Sequence, residues 1–135
     1  MTPFRHRLRV RFHECDPQGI VFNANFLAYA DIAVTELYRE AFGSWQNAME
    51  STGIDMVVAE ANVRYLAPLR FDEEFDLVAS LTRIGETSTT TEVTMERDGA
   101  PAAVVALRHV VVDLTTRAKA PIPDALRAGL EPYAS

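Results

Sequence analysis

The hydrophobic and polar positions of this chain change rhythm along its length. Near the start, Phe4, His6, Leu8, Val10 and Phe12 alternate with Arg5, Arg7, Arg9 and Arg11. A period of two predicts a strand with one face turned to a core. The segment DPQG that follows predicts a turn, since Pro17 sets φ at its second position and Gly19 relaxes the backbone at its fourth. The period then lengthens. From Asn25 to Phe42 the apolar residues Phe26, Ala30, Ala33, Val34, Leu37 and Ala41 recur at helical spacing, while Asp31, Thr35, Glu36, Arg39 and Glu40 fall largely on another face. This predicts a long amphipathic helix that ends at Gly43, with Asn23 or Asn25 as its N-cap.

SWQNAMESTG predicts a short helical turn closed by Gly53. Alternation returns over Val57 to Tyr65, and APLRFDEE, with its proline and charges, reads as a connection. Further strands are expected over 74–83, 87–97 and 102–114, with Gly85 breaking the first pair and RDGA turning the second. Pro123 to Leu130 reads as a last short helix. A strand, a long helix and four strands joined by short turns predict an α+β domain with a mostly antiparallel five-stranded sheet wrapped around one long central helix. No repeat or linker divides residues 1–135, so one domain is expected.

Composition narrows the classes of function. A chain that is 48% hydrophobic and 24% charged should fold. No apolar run is long enough for a membrane span, and MTPFRHRLRV lacks the apolar middle of a signal peptide. The cytoplasm is therefore the expected location. The single cysteine, Cys15, forms no internal disulfide, and no metal site is expected. A formal net charge of −6 disfavours a nucleic-acid partner.

Asp16 is the chemically informative residue. It lies between a strand and a helix start, where unpaired N–H groups and a partial positive charge favour an anion. There a carboxylate can act as nucleophile or general base, and the helix start can hold an oxyanion. An Asp before Pro17 also serves simply to open a turn. Other candidates have plainer readings. The arginine stripe fits a solvated or interface face. Cys15 points away from its neighbour Asp16. His13 and His109 show no metal spacing. Glu60 and Arg64 share a strand face and suggest a same-strand pair, and the run from Ser88 to Thr91 reflects strand propensity.

The stretch ECDPQGIVFNANFLAYADIA, with VRYLAPLRFDEEFDL, RIGETSTT and RHVVVDLTTRAKAPIP, resembles the hotdog-fold acyl-CoA thioesterases of the 4-hydroxybenzoyl-CoA thioesterase family. The likeness runs from about Leu8 to Pro123. It implies a hotdog fold and hydrolysis of an acyl-CoA, with coenzyme A as part of the substrate and no separate cofactor. Asp16 then matches the acid that attacks the thioester or activates water, and the Asn23 N–H matches the oxyanion donor. Gly19 matches the glycine that leaves room for substrate, and Asp31 falls where some members carry an acid at the acyl end. Val21, Phe22 and Phe26 would shape the acyl pocket, and Tyr29 lies among them. Some subfamilies carry His in place of Asn23 and Tyr in place of Phe12, and RIGETS lacks their basic cluster. Arg83, Thr87 and Ser88, or a partner's arginines, would then hold the coenzyme A. The resemblance also implies a homodimer or homotetramer with the site between subunits. The rival expectations are a thioesterase acting on acyl carrier protein and a non-catalytic acyl-CoA-binding module.

Overall fold

The computed structural model describes residues 3–135. Among them, five strands, β1 (Phe4–Arg9), β2 (Ile54–Tyr65), β3 (Glu74–Ile84), β4 (Ser88–Arg97) and β5 (Ala100–Asp113), form one antiparallel sheet in the order β1-β3-β4-β5-β2. Helices α1 (Asn25–Phe42), α2 (Trp45–Thr52) and α3 (Asp124–Leu130) complete the layer against it. The α+β hotdog architecture is thus as expected, but the helical layer is shared: α1 has 18 residues and two shorter helices flank it.

The core follows from the two periods. Along α1, Phe26, Tyr29, Ala30, Ala33, Val34, Leu37 and Tyr38 are buried, at spacings of three and four that put them on one stripe. They meet alternate residues of the strands, among them Phe75, Leu77, Ala79 and Leu81 of β3 and Val93 and Met95 of β4. Complete burial of each large apolar side chain contributes roughly 1.5 to 3 kcal/mol, so this interface dominates stability. Gly43 at φ +78° ends α1 and its N–H donates to the Arg39 carbonyl at 2.8 Å. The β4–β5 turn places both Asp98 and Gly99 at positive φ, the geometry that matches the twist of a hairpin.

Three local expectations are corrected. β1 stops at Arg9, and Phe12 enters a 3-10 turn (Phe12–Glu14) where it is 80% exposed instead of facing the core. β2 begins earlier, at Ile54, and its residues 57–62 are exposed on both faces with a bulge between Val58 and Glu60. Glu60 and Arg64 keep an even spacing in a continuous register on β5, and the Glu60 carboxylate instead meets Arg108, its cross-strand partner, at 3.9 Å. Neither Asn23 nor Asn25 caps α1: the N-cap is Ala24, without a side-chain bond.

The arginines of β1 are occupied. Arg5 meets Glu96 at 3.3 Å, Arg7 meets Asp76 at 3.0 Å and Glu74 at 3.1 Å, and Arg9 pairs with Glu74 and Asp72. Such exposed pairs are screened by solvent and add little stability each. They accompany the antiparallel register of β1 on β3 and leave this face without excess positive charge.

Candidate active site

The DPQG segment folds as the sequence implies. The Asp16 carboxylate accepts the Gln18 N–H at 2.8 Å, the Gly19 N–H donates to the Asp16 carbonyl at 2.9 Å, and Asp16 N–H donates to Ile20 carbonyl at 2.9 Å. Gly19 sits at φ +78°, where an L side chain is strained, although a Cβ there would meet nothing within 4 Å. The loop is held from two sides. Val21 N–H donates to the Leu69 carbonyl at 2.8 Å, and Phe22 N–H to the Glu14 carbonyl at 2.9 Å. The opposite wall is pinned by Arg97, which donates to the Pro68 carbonyl at 2.7 Å and meets Glu73 at 3.0 Å.

Between these walls lies a cleft of about 490 Å³. Asp16, Gln18, Asn23 and Tyr65 supply its polar atoms, and Val21 and Phe26 are among its apolar walls. Asp16 is half-buried. Among the described residues, the backbone N–H groups of Asn23 and Ala24 find no acceptor within the chain. They precede the first turn of α1, where the helix end carries a partial positive charge. The cleft therefore brings together the acid Asp16, Asn23 with its free N–H, and an apolar lining.

Several supporting hydrogen bonds could not be foreseen from the sequence. The Tyr65 hydroxyl donates to the Asn23 carbonyl at 3.1 Å, which fixes the peptide next to the free donors. The Asn25 amide donates to the Glu14 carbonyl at 2.8 Å, and the Tyr29 hydroxyl donates to the Glu14 carboxylate at 2.9 Å. Burial and that carboxylate push the Tyr29 hydroxyl well above its usual range, so it acts as a donor. Cys15 packs against the core, and burial, then Glu14 and Asp16, raise its thiol. A raised thiol is a poor nucleophile.

The remaining candidates lie elsewhere. Phe22 is exposed outside this cleft. Asp31, on the polar face of α1, lines a second cleft with His109. Arg83, Thr87 and Ser88 are at the far end of the sheet. β3 runs from Glu74 beside the loop to Ile84, a span of roughly 30 Å at strand rise. Within one chain the fold does not bring them to Asp16.

A family model described as the thioesterase-like superfamily matches residues 10–130. The chain belongs to that superfamily and is a hotdog-fold thioester hydrolase. It is 26% identical over 132 residues to a 1,4-dihydroxy-2-naphthoyl-CoA hydrolase of Thermosynechococcus vestitus, covering 96% of this chain and 90% of that protein. The acyl-CoA thioester hydrolase YbgC of Escherichia coli is 32% identical over 87 residues, 64% of each chain. A crystal structure of a thioesterase superfamily protein from Jannaschia sp. CCS1 superposes with a TM-score of 0.90 at 25% identity, covering 98% of this chain and 94% of that one.

Proposed function

We propose that this protein hydrolyses acyl-CoA thioesters at the cleft beside Asp16. The observation that carries the reading is the shared lining: Asp16 and Asn23, whose backbone N–H has no acceptor within the chain, line the same apolar-walled cleft. The names of the two curated relatives, both hydrolases of CoA thioesters, support the choice of substrate. The Asp16 carboxylate either takes a proton from the attacking water or attacks the carbonyl carbon itself. In the first route the water oxygen bonds to the carbonyl carbon, and the negative charge moves to the carbonyl oxygen against the Asn23 N–H. Collapse breaks the C–S bond, and the proton held by Asp16 passes to the departing thiolate. The products are a carboxylic acid and coenzyme A. In the second route an acyl-aspartyl intermediate forms, the thiolate leaves, and water releases the acid.

The working unit we infer is a dimer formed along β2, alone or within a tetramer. β2 is an edge strand whose partner on one side is β5, and Val57, Val58 and Tyr65 stand exposed on it. Long exposed apolar edges are rare in monomers because they invite pairing. Antiparallel pairing about the middle of the strand sets Val58 opposite Ala61, and Ile54 opposite Tyr65, of the second copy. The second cleft of one copy, which includes Val58, then adjoins the Asp16 cleft of the other, which includes Tyr65. The same operation carries Arg83, Thr87 and Ser88 toward the partner's cleft, where coenzyme A would lie. Small molecules are the partners this site suits. Among the described residues no helix is long and apolar enough to cross a membrane.

A panel of acyl-CoAs scored by thiol release tests the reading. Turnover of at least one, saturating with concentration, is the expected result. Tight binding with no release of thiol from any acyl-CoA would make the protein a binding module, and activity confined to acyl carrier protein would redirect it to that substrate.

A further inference from the structure

Asn23, which carries the proposed oxyanion donor, gets little support from the helix it precedes. The first backbone bonds of α1 are long: the Phe26 N–H reaches the Asn23 carbonyl and the Leu27 N–H the Ala24 carbonyl at 3.3 Å each, past the usual range of roughly 2.7 to 3.2 Å. Ala24 at the N-cap adds no side-chain bond. An uncapped first turn is weakly held. Asn23 is secured instead from outside the helix, where the Tyr65 hydroxyl donates to its carbonyl at 3.1 Å. On the other side of the residue, the Asn25 N–H donates to the Phe22 carbonyl and the Phe22 N–H to the Glu14 carbonyl, both at 2.9 Å. Both peptides that meet at Asn23 are therefore bonded at their carbonyls.

Tyr65 is itself firmly placed. It is the last residue of β2 and pairs with Ala103 of β5, and just beyond it the Leu66 and Ala67 N–H groups both donate to the Ala102 carbonyl, at 2.9 and 3.0 Å. Its ring meets Phe26 edge-on with centroids 5.5 Å apart, and Phe26 is buried in the core. Yet Tyr65 is 54% exposed. A hydroxyl so close to solvent bonds water nearly as well, so its bond to Asn23 adds little stability. The consequence of the bond is geometric. It fixes the Asn23 carbonyl beside the cleft that Asn23, Phe26 and Tyr65 line together with Asp16, and it polarises the peptide it touches.

We infer that Tyr65 is a positioning residue for the reaction: through its hydroxyl it holds Asn23 so that the Asn23 N–H stays where the oxyanion forms. The inference rests on the thioesterase reading and on the Asn23 N–H as the oxyanion donor. Donors aimed in advance need no reorganisation when charge develops. A small misplacement that leaves binding intact is therefore felt in kcat.

Tyr65→Phe tests it, since the variant loses the hydroxyl and keeps the ring against Phe26. On the best acyl-CoA found, kcat should fall by about fivefold to tenfold, the scale of one ordinary hydrogen bond, with KM kept within about twofold and the melting temperature barely moved. Replacing Tyr65 by 3-fluorotyrosine, which retains the donor, should retain kcat. In Asn23→Pro, where no N–H is left to hold, adding Tyr65→Phe should cost less than about twofold more, because the two changes act on one interaction. An unchanged kcat in folded Tyr65→Phe, a loss confined to KM, a 3-fluorotyrosine enzyme as slow as Tyr65→Phe, or a full further loss in the Asn23→Pro background would overturn the inference. If the wild type hydrolyses no acyl-CoA, the thioesterase reading fails separately. The amide nitrogen resonance of Ala24, bonded to the Asn23 carbonyl carbon, then decides whether Tyr65 holds this peptide in solution. It should move between the wild type and Tyr65→Phe, and an unmoved resonance would contradict the role given to Tyr65.

Discussion

The side-chain amide of Asn25 donates to the backbone carbonyl of Glu14 at 2.8 Å, binding the first turn of α1 to the loop that carries Asp16. The link continues through the Glu14 carboxylate to the Tyr29 hydroxyl. A half-buried hydrogen bond of this kind contributes about 1 kcal/mol net. Asn25→Ala should lower stability by about that amount in chemical denaturation. It should also reduce kcat more than it raises KM, because the misplaced group is the carboxylate rather than a wall of the cleft.

The oxyanion assignment separates backbone from side chain. Asn23→Ala keeps the N–H and should be mild. Asn23→Pro deletes it just before the helix, where proline is tolerated, although Phe22 is restricted as well. Once melting curves show that both variants fold, Asn23→Pro should lose about 10² to 10³ in kcat relative to Asn23→Ala. Equal turnover would place the oxyanion elsewhere.

Assembly has its own test. Val57, exposed on the free edge of β2, becomes Asp in a variant that sets a charge at the proposed junction. In sedimentation, the wild type should run at twice the 15.0 kDa chain mass or a multiple of that. Val57→Asp should shift toward the single chain and lose activity in step. A fully active monomer would remove the shared site.

His109 also carries a pH signature. Its folded-state pKa is depressed below the unfolded 6.5 because burial disfavours the charged imidazole. The native state then binds fewer protons than the unfolded state, so its contribution is intact above about pH 6.5 and is lost as pH falls through the folded value. Melting temperature should fall below pH 6.5 more steeply in the wild type than in a folded His109→Leu variant, the carboxylates contributing alike to both.

How much of this was legible in the sequence depends on whether local rules decide. The α1 stripe and the Asp16 turn were readable, because helical spacing, Pro17 and Gly19 act over a few residues. Phe12 misled, because the strand gives way to a 3-10 turn before the alternation ends. β2 misled because an edge strand shows both faces, so burial does not follow its alternation. His109 reads as an ordinary buried strand position. Its missing partner emerges only when Tyr38, 71 residues before it, and Thr89 are packed around it. The Tyr65 bond to Asn23 likewise spans 42 positions, beyond any local pattern.

The central claim, that Asp16 does the chemistry, is tested most directly by steady-state kinetics of Asp16→Asn on the best acyl-CoA found. The variant retains the Oδ1 that accepts the Gln18 N–H, so the turn should persist while the charge is lost. The account predicts that kcat falls by about a hundredfold or more with KM largely kept. Turnover near that of the wild type in folded Asp16→Asn protein would reduce Asp16 to a turn residue and contradict the account.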